Sequence, residues 1–405
     1  MQRVVITGMG IYSTIGLNLD EARDSLYNGK SGIGIDEYRK ELGFISPLTG
    51  VIERPKLKGV IPRRMRIGMA EQGEYAYIST IEALRNAKLD EEYIEKNNTG
   101  IIFGNDSSAV PVVEAADTIR EKKDTTLVGS GSVFRSMNST VTMNLAVIFK
   151  LKGISLTISA ACASGSHSIG FGYHLIKSGL QNTIICGGAQ EINAMSMGSF
   201  DGLMAFSRRV DDPHKASRPF DVSRDGLVPS GGAATVILES YESAIKRGAP
   251  ILGEIIGYGF SSNGDHITVP NVNGPAASLE MSIRQAGITA KEIDYINAHA
   301  TSTPVGDKME AQAISRVFGD SNTLVSSTKS MTGHEMWMGG ASEVVYSLIM
   351  MHNSFIAPNI NFETPDEFSA RLNIADKTIN KKIDTFLSNS FGFGGTNSSL
   401  IIKRV

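Results

Sequence analysis

A cysteine in a small-residue turn is the first candidate for chemistry in this 405-residue chain. Cys162 lies within Ser-Ala-Ala-Cys-Ala-Ser-Gly, between the β-branched run 156–158 and a helical pattern that starts near Ser166. The unpaired N–H groups at a helix N-terminus favour a thiolate over a thiol. The pattern therefore predicts a nucleophile, although a lone cysteine beside a strand often has only a packing role.

Two histidines and a lysine follow other predicted strands. His299 comes directly after one strand and precedes the hydroxyl groups of Thr301 and Thr303, while Lys329 and His334 lie five residues apart after the next strand. In α/β folds the loops at strand ends are where binding and catalytic groups assemble. The other five histidines have surroundings that suit surface or packing roles. We therefore expect these groups to meet the cysteine in one site.

Short apolar or β-branched runs alternate with longer helical patterns along the chain, which predicts an α/β architecture with covered sheets. The predicted strands are residues 4–6, 100–103, 156–158, 183–186, 233–238, 295–297, 324–326 and 400–402.

A strand that runs into a small-residue turn occurs in each half of the chain, at residues 158–165 and 386–396. Two similar halves that face each other would bring both turns to one site. We expect residues 1–250 to form a half that carries the nucleophile, and residues 251–405 to form a half that carries both catalytic histidines.

Composition and charge exclude several classes of protein. With 41% hydrophobic residues, 20% charged residues and a net charge of −3, the chain has no global attraction to nucleic acid or to an anionic membrane. No apolar run approaches the roughly 20 residues that span a bilayer, and the N-terminus reads as a strand, so we expect a cytoplasmic protein. Two cysteines, of which Cys186 is interpreted as core, provide neither a disulfide framework nor a zinc site. No cluster has metal-ligand spacing.

Taken together, these motifs resemble the elongating β-ketoacyl-[acyl carrier protein] synthases across essentially the whole chain. The matching stretches are Ser-Ala-Ala-Cys-Ala-Ser-Gly, His-Ala-Thr-Ser-Thr-Pro-Val-Gly-Asp, Thr-Lys-Ser-Met-Thr-Gly-His and Asn-Ser-Phe-Gly-Phe-Gly-Gly-Thr-Asn, in the family's order. The length and the stretch 355–361 favour the type I subgroup over type II. The resemblance implies the thiolase fold, a five-layered α-β-α-β-α arrangement of two related halves, and a homodimer.

The resemblance also implies a decarboxylative Claisen condensation. Cys162 would take an acyl group from acyl carrier protein, and malonyl-acyl carrier protein would lose its carboxylate to give the carbanion that attacks the acyl-cysteine. His299 and His334 are expected to donate hydrogen bonds to the thioester oxygen, and the backbone N–H groups of Cys162 and Phe393 to hold the tetrahedral oxyanion. No cofactor is expected beyond the phosphopantetheine arm that the carrier protein brings.

Supporting roles follow from the same resemblance. Lys329 is expected to pair with Glu310 and to organise the charges of the site. Thr301 and Thr303 match positions that bind the phosphopantetheine arm. The side chain of Phe393, flanked by glycines, is expected to act as a gate.

The carrier protein of this family is acidic, so a local basic patch is expected to bind it. Arg63, Arg64 and Arg66 are the favoured candidate, and Lys122 with Lys123 is the weaker one, because those lysines also suit a solvated helix face.

Three departures from the family pattern bear on the substrate. Ala300 replaces a glycine, which is tolerated only if its φ is negative. Residues 335–338 replace small residues and put the only tryptophan, Trp337, beside the site. Residues 105–108, including Asp106, are more polar than the usual wall of the acyl channel. We expect Trp337 and Asp106 to contact substrate, and a specialised polyene or polyketide pathway is an alternative to housekeeping fatty acid synthesis.

Two other classes of protein share this fold but differ in their catalytic residues. A non-catalytic chain-length partner would lack the nucleophile, whereas this chain retains Cys162, His299, Lys329 and His334. A thiolase that uses coenzyme A needs a second catalytic cysteine near the C-terminus, and no cysteine follows Cys186.

Overall fold

The computed structural model describes residues 1–319 and 321–405. Within these residues the strands are β1 (Val4–Ser13), β2 (Ile33–Ile35), β3 (Leu48–Gly50), β4 (Gly100–Gly104), β5 (Ser155–Ile158), β6 (Thr183–Gln190), β7 (Gly232–Ser240), β8 (Gly253–Ser262), β9 (Tyr295–Asn297), β10 (Leu324–Ser326), β11 (Asn373–Ile374), β12 (Thr385–Phe391) and β13 (Thr396–Lys403).

The α-helices of the described chain are α1 (Leu19–Asn28), α2 (Glu37–Glu41), α3 (Arg63–Arg66), α4 (Glu71–Asn86), α5 (Glu91–Lys96), α6 (Ala109–Lys122), α7 (Ser132–Ser136), α8 (Thr140–Ile148), α9 (Ser164–Lys177), α10 (Ala194–Gly202), α11 (Tyr241–Lys246), α12 (Asn273–Ala286), α13 (Pro304–Phe318), α14 (Lys329–Thr332) and α15 (Gly339–Asn353). Short 3₁₀ turns lie at Thr125–Val128, Pro213–Lys215, Ala290–Glu292, Met336–Met338, Ser369–Arg371 and Phe393–Gly395.

The main sheet repeats one strand pattern twice. Its order is β11-β10-β9-β12-β13-β8-β1-β7-β6-β4-β5. Outward from the centre, β1-β7-β6-β4-β5 matches β8-β13-β12-β9-β10, with the same sequence of antiparallel and parallel pairs. Within the sheet of the described residues, the repeats join where three residues of β1 pair with three of β8. This topology confirms the two related halves that the sequence predicted.

Two glycines in the first strand of each half let a helix approach closely. A Cβ atom on Gly10 would lie 2.1 Å from the carbonyl oxygen of Ser79 in α4, and one on Gly259 would lie 1.9 Å from that of Ser278 in α12. Gly8 and Gly257 are equally close to the next turn of each helix. Only glycine permits such contact between a strand and a helix, so the sequence repeats the packing along with the topology.

Helices α9 and α15 pack on each other between the two halves of the sheet, and helices α4 and α12 cover the outer faces. The order of layers is therefore α-β-α-β-α, as predicted. Every strand expected from the sequence is present, whereas β8, with its glycines and polar end, and the short strands β2, β3 and β11 were missed. No helix among the described residues is long and apolar enough to cross a membrane.

Candidate active site

Cys162 stands in a strained turn between β5 and α9. Ala161 has a φ of +46°, which a residue with a Cβ atom rarely adopts. Its N–H group donates to Oδ2 of Asp106 at 2.9 Å, and the N–H group of Ala160 donates to Oγ of Ser164 at 2.8 Å. These bonds hold the strained backbone, which presents the thiol at the end of the strand. Asp106 therefore supports the turn.

Two histidines from the second half of the chain meet this thiol. Nε2 of His334 lies 3.1 Å from Sγ of Cys162. The ring of His299 stands edge-on to that of His334, with centroids 5.3 Å apart and planes at 88°. Cys162 and His334 are 7% and 2% exposed. The structure thus brings together the three residues that the sequence predicted to meet.

The cysteine is a thiol in the resting site. Burial raises the pKa of Cys162 to about 12, although the charge of Lys329 and the backbone N–H groups of Phe393 and Cys162 act in the opposite direction. The prediction of a resting thiolate is wrong, because the loss of hydration outweighs the helix N-terminus. Those two N–H groups nevertheless point at the sulfur.

Both histidines are neutral. Burial lowers the pKa of His299 and of His334 well below the usual range, and the nearby charge of Lys329 lowers each further. A neutral imidazole carries one N–H donor and one lone pair. Each ring can therefore donate a hydrogen bond to a substrate oxygen without carrying a charge of its own.

Lys329 pairs with Glu343 of helix α15, and not with Glu310 as predicted. The ammonium group contacts Oε1 of Glu343, and both side chains are 1% exposed. Glu310 has other partners: it accepts hydrogen bonds from the N–H groups of His299 at 2.9 Å and Ala300 at 2.6 Å. The Glu310 carboxylate thereby fixes the loop that carries His299. Because it is bound to these two N–H groups, it does not pair with Lys329.

A cavity of about 510 Å³ leads from the cysteine towards the surface. Its inner end is lined by Cys162, His299 and His334, and its outer part by Thr301 and Thr303. The two threonine hydroxyls lie 3.1 Å apart. The remaining wall includes Phe391, Phe393, Val269, Pro270, Pro304 and Val305. A long, narrow thioester arm suits this shape, since it offers both apolar and hydroxyl contacts.

Phe393 lies at the edge of the cavity in a glycine-rich turn. Its side chain is 36% exposed and stacks on Phe200 with ring centroids 6.4 Å apart. The next residue, Gly394, has a φ of +77°. The ring therefore lies at the mouth of the site, while its role as a gate stays a prediction.

Trp337 lies outside the cavity lining, in an apolar cluster around the sulfur. The cluster, here called the acyl-side cluster, consists of Cys162, Met197, Phe206, Leu227, Met336 and Trp337, with Phe44, Ala161, Phe200 and Ala205 packed against it. Trp337 is 7% exposed. Neither Trp337 nor Asp106 lines the cavity. Trp337 packs instead in the cluster that contains the nucleophile.

The other departures from the family pattern fit their surroundings. Ala300 is 1% exposed and has a negative φ, which confirms the condition set for an alanine there. Glu335 is buried and accepts a hydrogen bond from the hydroxyl of Tyr346 at 2.8 Å. Burial raises the pKa of Glu335 to about 7. Sequence reasoning missed the burial of Glu335 and Glu343 beside the site, because charged residues are rarely buried and no local pattern marks these two.

The predicted docking arginines lie on the short helix α3. Arg63 and Arg64 are exposed, while Nε of the half-buried Arg66 donates to the carbonyl of Ile61 at 3.1 Å. Among the described residues none of the three forms an ion pair. Lys122, by contrast, lies 4.0 Å from Glu121. In the same part of the chain no group of three acidic, histidine or cysteine side chains is arranged to hold a metal ion.

Comparison with known proteins gives consistent matches over the whole length. Residues 1–244 match the family model "Beta-ketoacyl synthase, N-terminal domain", and residues 252–363 match "Beta-ketoacyl synthase, C-terminal domain". The chain is 42% identical to 3-oxoacyl-[acyl-carrier-protein] synthase 1 of Haemophilus influenzae, over 100% of this chain and 99% of that protein.

Two solved structures are also similar. A beta-ketoacyl synthase from Burkholderia phymatum has a TM-score of 0.94 and 36% identity, with both chains fully covered. The ketosynthase of a complex described as AntDE:AntF, in which a type II polyketide synthase acyl carrier protein is bound to its ketosynthase, has a TM-score of 0.89 and 28% identity, again over both full chains.

Proposed function

The chain belongs to the β-ketoacyl synthase family, and we propose that its Cys–His–His site carries out the condensation step of fatty acid elongation. The enzyme is an acyltransferase that joins an acyl group to malonyl-acyl carrier protein and yields 3-oxoacyl-acyl carrier protein. The observation that carries the roles proposed below is the 3.1 Å contact between His334 and Cys162 inside a buried site.

In the first half-reaction the Cys162 thiol attacks the acyl thioester of the carrier protein. Because the resting group is a thiol, its proton must leave as the C–S bond forms, and Nε2 of His334 is the hydrogen-bonding atom next to it. The proton then passes to the sulfur of the departing phosphopantetheine. The products are an acyl-cysteine and the free thiol of the carrier protein.

In the second half-reaction the C–C bond to the malonyl carboxylate breaks and carbon dioxide leaves. Negative charge develops on the thioester oxygen, where His299 and His334 donate hydrogen bonds from neutral rings. A neutral imidazole holds one proton, so His334 needs its lone pair on Nε2 in the first step and its proton on Nε2 in the second. The ring must therefore change tautomer between the two steps, through water that enters the cavity when the first carrier protein leaves. The site is buried, and hydrogen bonds to a developing charge are stronger there than in water.

The carbanion then attacks the acyl-cysteine, and the tetrahedral oxygen is held by the backbone N–H groups of Cys162 and Phe393. Support for this assignment is that both groups already lower the pKa of the thiol, so both act at the same point. Collapse expels the cysteine sulfur, which takes up a proton, and releases the 3-oxoacyl product on the carrier protein.

The acyl carrier protein would bind through Arg63, Arg64 and Arg66. Support comes from the exposure of the first two and from their lack of acidic partners among the described residues. A free guanidinium group can engage an acidic partner without first losing an internal ion pair. Thr301 and Thr303 would then bind the phosphopantetheine arm inside the cavity.

A homodimer and a cytoplasmic location also remain proposals. Strand β5 ends the sheet order and pairs only with β4 in the described chain. Leu156 on that strand is 41% exposed, and Phe134, Met137 and Val147 are similarly exposed. An exposed apolar edge strand is a ready site for pairing with a second copy of the chain, and it lies directly before the nucleophile.

Mass spectrometry of the acyl-enzyme tests this function. The purified protein is incubated with acyl-carrier protein and then with malonyl-carrier protein. An acyl mass should appear on the protein and disappear on condensation. Cys162→Ala should prevent the adduct, whereas the matched control Cys186→Ala, at a fully buried position in β6, should retain it. An adduct that persists in Cys162→Ala would contradict the assignment of the nucleophile.

A further inference from the structure

The acyl-side cluster contains one side chain that is fixed by polar bonds. Nε1 of Trp337 donates to Oγ of Ser107 at 3.1 Å, and that hydroxyl donates to Oε1 of Glu191 at 3.1 Å. The same Oε1 accepts the N–H group of Ala109 at 2.7 Å. The indole is therefore tied through a serine to a buried carboxylate at the end of β6. A tryptophan held in this way cannot move without leaving hydrogen-bonding groups unpaired.

The acyl chain on Cys162 has to share the site with the second substrate. During condensation the cavity is filled by the arm of malonyl-carrier protein, which must reach His299 and His334. The chain on the sulfur must therefore lie among the apolar side chains of the cluster. These include Phe200, which also lines the cavity, and Trp337, which does not; their ring centroids lie 6.1 Å apart.

We propose that Trp337 ends the acyl site and restricts the enzyme to short acyl chains, with Ser107 as the residue that positions the indole. This inference rests on the proposed function, since it requires an acyl group on Cys162. A chain long enough to reach the indole would have to displace it. Displacement would break the bond to Ser107 and leave buried polar groups without partners, which costs free energy. Short chains do not reach the indole, so only long chains bear this cost.

Trp337 and Ser107 each lie in a segment that departs from the family pattern. The segment 335–338 supplies the large side chain, and the polar segment 105–108 supplies its anchor. Asp106 of the polar segment supports the turn of Cys162, but the bond between Trp337 and Ser107 has no part in positioning Cys162, His299 or His334. That bond joins the two departures to each other beside the nucleophile.

The test is a competition between acyl-carrier proteins that range from acetyl to palmitoyl, with the acyl-enzyme read by mass spectrometry. The wild type should load butyryl at least tenfold faster than palmitoyl. Trp337→Ala should raise the palmitoyl-to-butyryl ratio at least tenfold. Ser107→Ala, which keeps the ring and removes its anchor, should raise the ratio by a smaller factor. Phe103→Leu, a truncation in a different core cluster, should leave it unchanged.

Equal loading of palmitoyl and butyryl by the wild type would overturn the inference, as would an unchanged ratio in Trp337→Ala. Where Trp337→Ala does not fold, Ser107→Ala and Trp337→Phe decide, because each retains most of the packing and loses the anchoring bond. An unchanged ratio in both would then overturn it. Absence of any acyl-enzyme in the wild type would instead reject the proposed function, and the inference with it.

Discussion

Nε2 of His334 lies 3.1 Å from Sγ of Cys162, although the two residues are 172 positions apart in the chain. The histidine follows a strand of the second half of the molecule, and the cysteine follows a strand of the first. Because the contact is buried and both groups are neutral at rest, proton transfer between them needs no solvent. The roles of the two histidines can be separated by experiment.

His299→Ala should leave the acylation of Cys162 nearly intact, because His334 is the histidine that contacts the sulfur. Decarboxylation of malonyl-carrier protein should fall by roughly 10²–10³, the usual loss when one donor to a developing oxyanion is removed. Single-turnover assays of each half-reaction measure the two rates. A parallel loss of both would show that His299 also serves the first step.

The pH dependence of alkylation should reveal a protonated thiol. Burial raises the pKa of Cys162 to about 12, so the thiolate fraction is small at neutral pH and keeps rising above the ordinary cysteine value of about 8.5. With iodoacetamide and a Cys186→Ala background, the rate constant should still increase beyond pH ~9. A plateau near the ordinary value would contradict the buried thiol.

Replacing either Lys329 or Glu343 alone should destabilise the protein, whereas replacing both together should be tolerated. Lys329→Met leaves the Glu343 carboxylate without its partner, and breaking a buried ion pair costs about 3–5 kcal/mol. Glu343→Gln should cost a similar amount. The double variant should recover most of the free energy of unfolding, measured by urea denaturation. It should not recover activity, because the charge of Lys329 lowers the pKa of the thiol.

Charge reversal on helix α3 should selectively weaken the binding of substrates that are attached to the carrier protein. Arg63→Glu with Arg64→Glu should lower kcat/KM for acyl-carrier protein at least tenfold at low salt, and the difference should shrink as salt screens the charges. A small-molecule thioester substrate should be unaffected. Lys122→Glu with Lys123→Glu is the matched control. An equal loss of kcat/KM in the control would contradict the assignment of the docking surface to α3.

The edge strand β5 should determine the oligomeric state. Leu156→Lys places a charge on an exposed apolar edge, which natural sheets use to prevent edge-to-edge pairing. We expect the variant to sediment as a monomer while the wild type sediments as a dimer. Ile245→Lys, at a position on helix α11 that is 55% exposed, is the control and should leave the dimer intact. A wild-type protein that is monomeric at all concentrations would reject the dimer.

The fold and the catalytic turns were accessible from the sequence because they depend on local pattern. Strand runs, small-residue turns and the position of Cys162 after β5 are all readable from neighbours in the chain. The partner of Lys329 could not be predicted in this way, because Glu310 and Glu343 both lie on helices near the site, and the pairing depends on the tertiary contacts that give Glu310 other partners and bring Glu343 to the lysine. The prediction of a thiolate at Cys162 was wrong for a related reason, since the burial that raises its pKa is a property of the assembled site.

The site is divided between the two related halves of the sheet. Strand β5 carries the cysteine, while β9, β10 and the turn after β12 carry His299, His334 and Phe393. The halves meet through three strand pairs between β1 and β8 and through the packing of α9 on α15. On the function proposed here, one copy of the repeated scaffold holds the growing chain and the other supplies the groups that activate its extender. Neither copy alone would then be an enzyme, because each lacks groups that the other supplies.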